Sequence, residues 1–200
     1  MNLLQKKWVK VPVFLICLVP LGDLVVRQIK QDLGANPVEY ITHSTGVWAL
    51  RFLAITLAIT PLRKLIKQPD LIRYRRMMGL FAFFYAYMHL MTYLWLDKQF
   101  DFADMLKDVW KRPFITAGMT GFLLMLPLAF TSTAGWIRRL GGKRWQLLHR
   151  LVYGSAIAGV VHYYWLVKSD VRNPLTYAGI FAILLTARLT WRRLSGDLAG

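Results

Sequence analysis

Six stretches of this chain, 8–26, 43–62, 77–96, 113–130, 145–167 and 174–191, are each apolar over roughly the 20 residues that a helix needs to cross a bilayer. That constrains the fold more than any other feature. Lipid offers no partner for a free N–H or C=O, so a chain with six such stretches folds as helices. Hydrophobic residues make up 56% and mean hydropathy is +0.38, where a soluble domain is about 45–50% apolar. The connections are too short to hold a second domain, so 1–200 reads as one unit. Pro113 and Pro174 sit at span starts, where a missing N–H costs little. The first stretch follows Lys6, Lys7 and Lys10 and is interrupted by Pro12, Pro20 and Asp23. No small-residue cleavage site follows it, so it reads as a retained span rather than a leader.

Charge orients the spans. The chain carries 26 Lys and Arg against 10 Asp and Glu, a net charge of +16. A basic balance can mark nucleic-acid binding, but that needs a polar scaffold, and no nucleic-acid partner is expected. With the N-terminus placed inside, the inner loops and ends hold Lys6, Lys7, Lys10, Arg63, Lys64, Lys67, Arg73, Arg75, Arg76, Arg138, Arg139, Lys143, Arg144, Arg188, Arg192 and Arg193. The outer loops hold half as many, and Arg51 and Arg150 fall within spans. Cytoplasmic loops carry the excess of cations. The expectation is an all-α, polytopic membrane bundle of six transmembrane helices with both termini cytoplasmic. One outer connection, 98–112, alternates Phe102, Met105, Leu106 and Trp110 with Asp101, Asp104 and Asp108, as a helix lying on the membrane surface does.

Candidate chemistry comes from histidine. Cys17 is the only cysteine, which excludes an intrachain disulfide and a CxxC pair. There is no GxSxG, no HExxH and no Gly-rich phosphate loop. All four histidines, His43, His89, His149 and His162, fall in or at the edge of spans, where ionisable side chains are costly and commonly functional. At about 1.5 Å per residue, His89 lies roughly 18 Å and His162 roughly 25 Å from the inner edge of their spans. The two can meet in the outer leaflet. His149 is only about 6 Å in, and His43 opens the second span at the outer edge. Paired imidazoles from facing helices can clamp a haem iron. A closed zinc site would need four ligands at one depth. His149 and His162 are separated by roughly 20 Å along one helix and by about 140° around it. Two other readings use the same residues: a haem-free transporter or proton relay, and a membrane anchor whose histidines only pack.

Other residues divide more simply. Arg51, at mid-span, would pair with a haem propionate or a quinone oxygen, or with backbone carbonyls of a neighbouring helix. Arg75, Arg76, Arg144 and Arg150 read as topology determinants that could also hold propionates or a flavin phosphate. Trp95, Trp110, Trp145, Tyr163, Tyr164, Trp165 and Trp191 read as an interfacial belt. Gly79, Gly118, Gly121, Gly154 and Gly159 permit close helix approach, or leave room for a porphyrin. Cys17 reads as a buried packing residue.

The segments HSTGVWALRFLAITLAITPLRK (43–64), RYRRMMGLFAFFYAYMHLMTYLWLD (73–97) and KRWQLLHRLVYGSAIAGVVHYYW (143–165) resemble the MsrQ (YedZ) family, part of the ferric-reductase-like transmembrane group. The resemblance implies a bacterial inner-membrane subunit with haem b, FMN as a further cofactor, and delivery of electrons to a periplasmic molybdenum-containing (molybdopterin) methionine sulfoxide reductase. The matching ligand positions are His89, His149 and His162. The wider group places two histidines on each of two helices. Here the second position on span three falls at Arg75 or Arg76, and arginine is a poor iron ligand. One outer haem between His89 and His162 is therefore expected, with a second at His149 left open. About nine residues follow the last span, which leaves no room for a nicotinamide- or flavin-binding domain. Electrons are expected from membrane quinol or a cytoplasmic flavin reductase, and substrate chemistry on the partner.

Overall fold

The computed structural model describes residues 7–196, without the side chains of 7, 189 and 191–196. Lys6 lies outside the described residues, as do the side chains of Lys7, Trp191, Arg192 and Arg193 that entered the sequence argument. In chain order the helices are α1 (Lys10–Ile29), α2 (Pro37–Leu65), α3 (Ile72–Met91), α4 (Phe102–Lys111), α5 (Pro113–Phe130), α6 (Ala134–Leu140), α7 (Gly142–Leu148), α8 (Leu151–Leu166) and α9 (Arg172–Gly196). A π-helical turn, Thr92–Asp97, continues α3. Among the described residues there is no strand.

Local chemistry sets the boundaries. Asn36 caps α2 by accepting a hydrogen bond from the Glu39 N–H (3.2 Å), with Pro37 in the first helical position. Pro113 opens α5, and Asp101 caps α4 through the Asp104 N–H (3.0 Å). Gly141, at φ +74°, supplies the left-handed residue that turns α6 into α7.

The chain is a multi-pass membrane protein. Among the described residues four helical segments are long and apolar enough to cross a bilayer: Lys10–Ile29, Pro37–Leu65, Pro69–Asp97 and Pro113–Phe130. Large apolar side chains such as Ile16, Val19, Leu123 and Ile183 point outward, at 54–70% exposure, as they do where lipid is the solvent. The expected fifth span, 145–167, is corrected: it is not one helix. It divides into α7 and α8 at His149–Arg150, where the His149 imidazole bonds back to the Trp145 carbonyl (3.0 Å) and the next turn tightens, Arg150 N–H reaching Leu147 O. The resulting α8 has 16 residues.

Contacts fix an up-and-down order. His89, late in α3, meets Thr42, early in α2. His162, late in α8, meets Phe114, early in α5. Arg188, late in α9, meets Leu57 of α2 and Tyr153 at the start of α8. The helices α2 and α3 pack along their length, as do α5 and α8, while contact between the two pairs is sparse. The start of α1 and the end of α9 thus lie at one end of the bundle. Arg63, Lys64, Arg75, Arg144 and Arg188 gather there too, and we call it the basic end. The other end carries His89, His162 and α4.

Two prolines explain two buried polar contacts. Pro20 disturbs the α1 ladder, and the Tyr85 hydroxyl enters it, donating to Cys17 O (2.8 Å) and accepting from the Leu21 N–H (3.2 Å). Pro61 has no N–H, so the Leu57 carbonyl four residues earlier lacks its helical donor. Arg188 supplies it, from Nη2 (2.8 Å) and Nε (3.2 Å). The reading of Arg188 as a loop cation is therefore corrected: it is 8% exposed inside the bundle. Cys17 is buried and packs against Met78, and Tyr85 stacks on Phe52 with centroids 5.2 Å apart.

Candidate functional site

The seam between the α2/α3 pair and the α5/α8 pair holds two imidazoles face to edge, His89 and His162, with ring centroids 5.8 Å apart and planes at 78°. Both are oriented the same way. His89 Nδ1–H donates to the Thr42 carbonyl (2.8 Å), and His162 Nδ1–H donates to the Phe114 carbonyl (2.6 Å). A carbonyl can only accept, so each Nδ1 carries the proton and each Nε2 presents a lone pair. Pinning one ring nitrogen on a carbonyl is how a ligating histidine is held and its basicity raised. Among the described residues no hydrogen bond engages either Nε2.

Glycine makes the seating possible. A Cβ at Gly118 would stand 2.7 Å from His162 Nδ1, and one at Gly46 would stand 3.0 Å from His89 Nδ1. Each ring therefore lies against bare backbone of the facing helix. Of the two readings of Gly118, close helix approach or room beside the histidines, its nearest neighbour, the His162 imidazole, favours the second. Gly46 had no signal in the sequence beyond its place three residues after His43.

His149 stands at the other end, at the α7–α8 break. Its Nδ1–H donates to Trp145 O, its ring stacks on Trp145 at 3.8 Å, and its Nε2 is buried with no hydrogen-bond partner. The Leu128 carbonyl approaches the ring without meeting hydrogen-bond geometry, and the Ser132 hydroxyl already donates to it (2.6 Å). Trp145 is thus a wall of this site rather than a belt residue, its indole N–H donating to Thr131 O (2.9 Å). His43 is exposed and shares a 3.3 Å contact with the Tyr163 hydroxyl. Tyr163 is 6% exposed, so its assignment to the interfacial belt is corrected.

The arginines separate. Arg51 is exposed on α2, its Nε donating to the Tyr177 hydroxyl (3.3 Å) and its guanidinium lying 4.5 Å over Trp48. Arg75 is partly buried in the bundle, while Arg76 points outward. Sequence reasoning missed Arg63, whose Nε is buried and unpartnered, because it reads there as one of a run of loop cations.

Above the His89–His162 pair, α4 is tied down by Lys98, whose Nζ lies 2.6 Å from both Asp104 and Asp108. Tyr93 donates its hydroxyl to Asp108 (3.2 Å), and Arg112 adds a second ion pair (3.2 Å). The Lys98 hydrogen bond holds the Asp108 carboxyl below the usual carboxylate range, and the two acids push the Lys98 ammonium above its own. The apolar face, Phe102, Leu106 and Trp110, is 68–92% exposed.

The donor set matters for what could bind. Among the described residues no three His, Cys, Asp or Glu side chains converge on a point, so a bare metal ion has no full shell. An iron already held in a planar macrocycle needs only axial ligands. Two Nε2 atoms each about 2 Å from one ion put ring centroids about 6 Å apart, and the seam has that spacing. The residues present fit a haem, which His89 and His162 would hold through their imidazoles.

A helical membrane bundle with paired histidines across one seam defines a class, and the comparisons agree with it. The family described as ferric reductase like transmembrane component matches residues 45–160. Curated relatives extend the likeness over nearly the whole chain. A protein of Herminiimonas arsenicoxydans is 54% identical over 98% of this chain and 93% of its own length. One of Azospira oryzae is 53% identical over 96% and 83%, and one of Ralstonia nicotianae is 49% identical over 92% and 85%. Each is named protein-methionine-sulfoxide reductase heme-binding subunit MsrQ. No solved structure gives a significant match. The chain belongs to the ferric-reductase-like transmembrane family and, within it, to the MsrQ family.

Proposed function

We propose that this protein is the membrane electron-transfer subunit of a methionine sulfoxide reductase system. It carries a haem b between His89 and His162 and passes electrons to a periplasmic molybdenum-containing reductase that repairs oxidised proteins. The observation that carries the reading is the pair of histidines from two helical hairpins, both Nδ1–H groups pinned on carbonyls and both Nε2 atoms left bare. The relatives' name, a haem-binding subunit of that reductase system, points the same way.

Bound haem supplies a one-electron carrier within the bilayer. The chain's own residues do the rest. Thr42 and Phe114 fix the tautomer and plane of the two ligands. Gly46 and Gly118 let the rings recess into the seam. The apolar walls around Phe83 and Phe122, stacked at 5.5 Å, keep water from the bundle interior. Arg51 remains the candidate for a propionate or quinone oxygen, and Arg75 for an anionic group at the basic end, with Arg76 a cation that sets topology.

In this reading α8 and α9 complete six spans in a bacterial inner membrane, and the basic end faces the cytoplasm with both termini. That end meets the donor, membrane quinol or a cytoplasmic flavin reductase, and FMN belongs to the same side. The cation asymmetry between loops supports the orientation. The test is a reduced-minus-oxidised absorption spectrum of detergent-purified protein, followed by reduction of the periplasmic partner. Sharp haem bands, with partner reduction that is lost in His89→Ala, are expected. A colourless, fully folded preparation would overturn the reading.

A further inference from the structure

The α4 end carries a groove on its lipid-facing side that the His89–His162 pair does not use. Its volume is about 490 Å³, with Pro113, Thr116 and Thr120 of α5 on one wall, Gly154 and Trp165 of α8 on the other, and Trp110 of α4 at its upper end. The α8 wall from Trp165 down to Gly154 runs about 16 Å, at about 1.5 Å per residue. The groove opens away from the seam, since Ile157 on that wall is 55% exposed. It suits hydrocarbon. The Thr116 hydroxyl donates to Val109 O and the Thr120 hydroxyl to Thr116 O (2.8 Å), so neither donates into the groove.

Two cations border its upper end. Lys107 and Lys111 are one turn apart on α4, and Lys107 lies three residues before Trp110, so both flank the apolar stripe of Phe102, Leu106 and Trp110. Both are exposed, and among the described residues neither enters an ion pair. The acids of α4 are engaged elsewhere. Lys98 holds Asp104 and Asp108 (2.6 Å each), Arg112 adds to Asp108, and Asp101 caps the far end of the helix. Trp110 and Trp165 are 92% and 54% exposed, and among the described residues no hydrogen bond engages either indole N–H. Indoles so placed sit at headgroup level, with the ring in hydrocarbon and the N–H free for an ester oxygen. From α4 downward the order is ammonium, indole, apolar groove. A phospholipid has the matching order of phosphate, glycerol ester and acyl chain. A water-soluble partner cannot follow a groove that descends along α5 into the bilayer.

We infer that this groove binds one anionic phospholipid from the leaflet at the α4 end, the outer one in the orientation proposed above. Its phosphate rests on Lys107 and Lys111, Trp110 and Trp165 meet its glycerol esters, and one acyl chain lies between α5 and α8. Each lysine near the headgroups adds attraction for a negative lipid, and the apolar stripe of α4 is covered by the same leaflet. The site has a structural consequence. The first turn of α5, which forms one wall, also carries the Phe114 carbonyl that holds His162 (2.6 Å). A filled groove braces that turn from the lipid side.

The experiment uses the full chain, delipidated in mild detergent and titrated with dioleoylphosphatidylglycerol or dioleoylphosphatidylcholine. Bound lipid is counted by native mass spectrometry. The variants are the double Lys107→Gln/Lys111→Gln, the double Lys107→Arg/Lys111→Arg, Thr120→Phe, which fills the groove from an exposed position, and Lys30→Gln as a control cation at the same end. In wild type, one phosphatidylglycerol should bind about tenfold tighter than phosphatidylcholine. The glutamine pair should lose that preference and keep weak binding of both lipids. The arginine pair should retain the preference, and it keeps the result readable should the glutamine pair misfold. Thr120→Phe should lose tight binding of either lipid, and Lys30→Gln should match wild type. Equal affinity for the two lipids in wild type would overturn the inference. So would a preference that survives in the glutamine pair, an equal loss in Lys30→Gln, or no effect of Thr120→Phe. Two further results would also overturn it: a long-chain ubiquinone that binds the groove more tightly than phosphatidylglycerol, or a dimer in wild type that Thr120→Phe converts to a monomer. None of these readouts depends on bound haem, so this inference and the electron-carrier reading can fail independently.

Discussion

The two ends of the bundle hold histidines in the same local geometry and opposite surroundings. Each ligand candidate donates Nδ1–H to a backbone carbonyl. At the α4 end the imidazoles come as a pair, His89 and His162, recessed against glycines. At the basic end His149 has no imidazole partner, and its buried Nε2 is without a hydrogen-bond partner. The difference teaches that the pinned imidazole is the repeated element. What surrounds it decides between a facing pair of imidazoles and a single one walled by Trp145.

Removing one member of the pair should have the largest effect. His89→Ala or His162→Ala should each cost most of the bound haem, read as haem-to-protein ratio after purification, while His149→Ala at the basic end keeps the outer haem. Equal losses from both ends would erase the distinction.

Next in size is the cradle. Gly118→Ala puts a methyl 2.7 Å from His162 Nδ1 and should weaken haem binding about 10–100-fold, the range seen when the orienting partner of a ligand is lost. Gly46→Ala, at 3.0 Å, should do less. Gly22→Ala, with nothing within 4 Å, should leave haem content unchanged. A neutral Gly118→Ala would mean that the ring is not held where the structure places it.

Arg188→Met should destabilise the basic end by about 1–3 kcal/mol, the cost of a buried carbonyl left without a donor. Thermal unfolding followed by tryptophan fluorescence measures it. Pro61→Ala restores an N–H to Leu57 O, so the double variant should recover part of the loss. No recovery would show that Arg188 acts through its charge rather than through that carbonyl.

The smallest effect concerns pH and α4. The Asp108 pKa is lowered in the folded protein, so its contribution is full above the ordinary value of about 4 and is lost as pH falls through the lowered one. The Lys98 pKa is raised, so its contribution is full below about 10.4 and is lost as pH rises through the raised one. Hydrogen exchange of 102–111, corrected for intrinsic rates, should be flat between those limits and should rise modestly on acidification below about 4. A step near neutral pH would assign α4 docking to other groups.

The sequence carried the long apolar helices and the meeting of His89 with His162, because span length and depth depend only on rise per residue. The break at His149–Arg150 was not legible: it turns on a side chain bonding its own backbone, which leaves no trace in hydropathy. Arg188 was hidden for a related reason. It sits near a cationic helix end like any topology residue, and only the orphan carbonyl made by Pro61, on another helix, draws it inward. Gly46 and Gly118 needed the facing helix to be known before their lack of a side chain meant anything. Arg75 and Arg76, adjacent in sequence, could not be told apart until the helix had a rotation.

The central claim is that one haem is shared by His89 and His162 and not by His149. The direct measurement is the ferric low-spin electron paramagnetic resonance signal of purified wild type, His89→Ala and His149→Ala, each with and without added free imidazole. The account predicts a bis-imidazole signal in wild type that persists in His149→Ala, disappears in His89→Ala, and returns there when imidazole is added. A full low-spin signal in His89→Ala, together with its loss in His149→Ala, would contradict it.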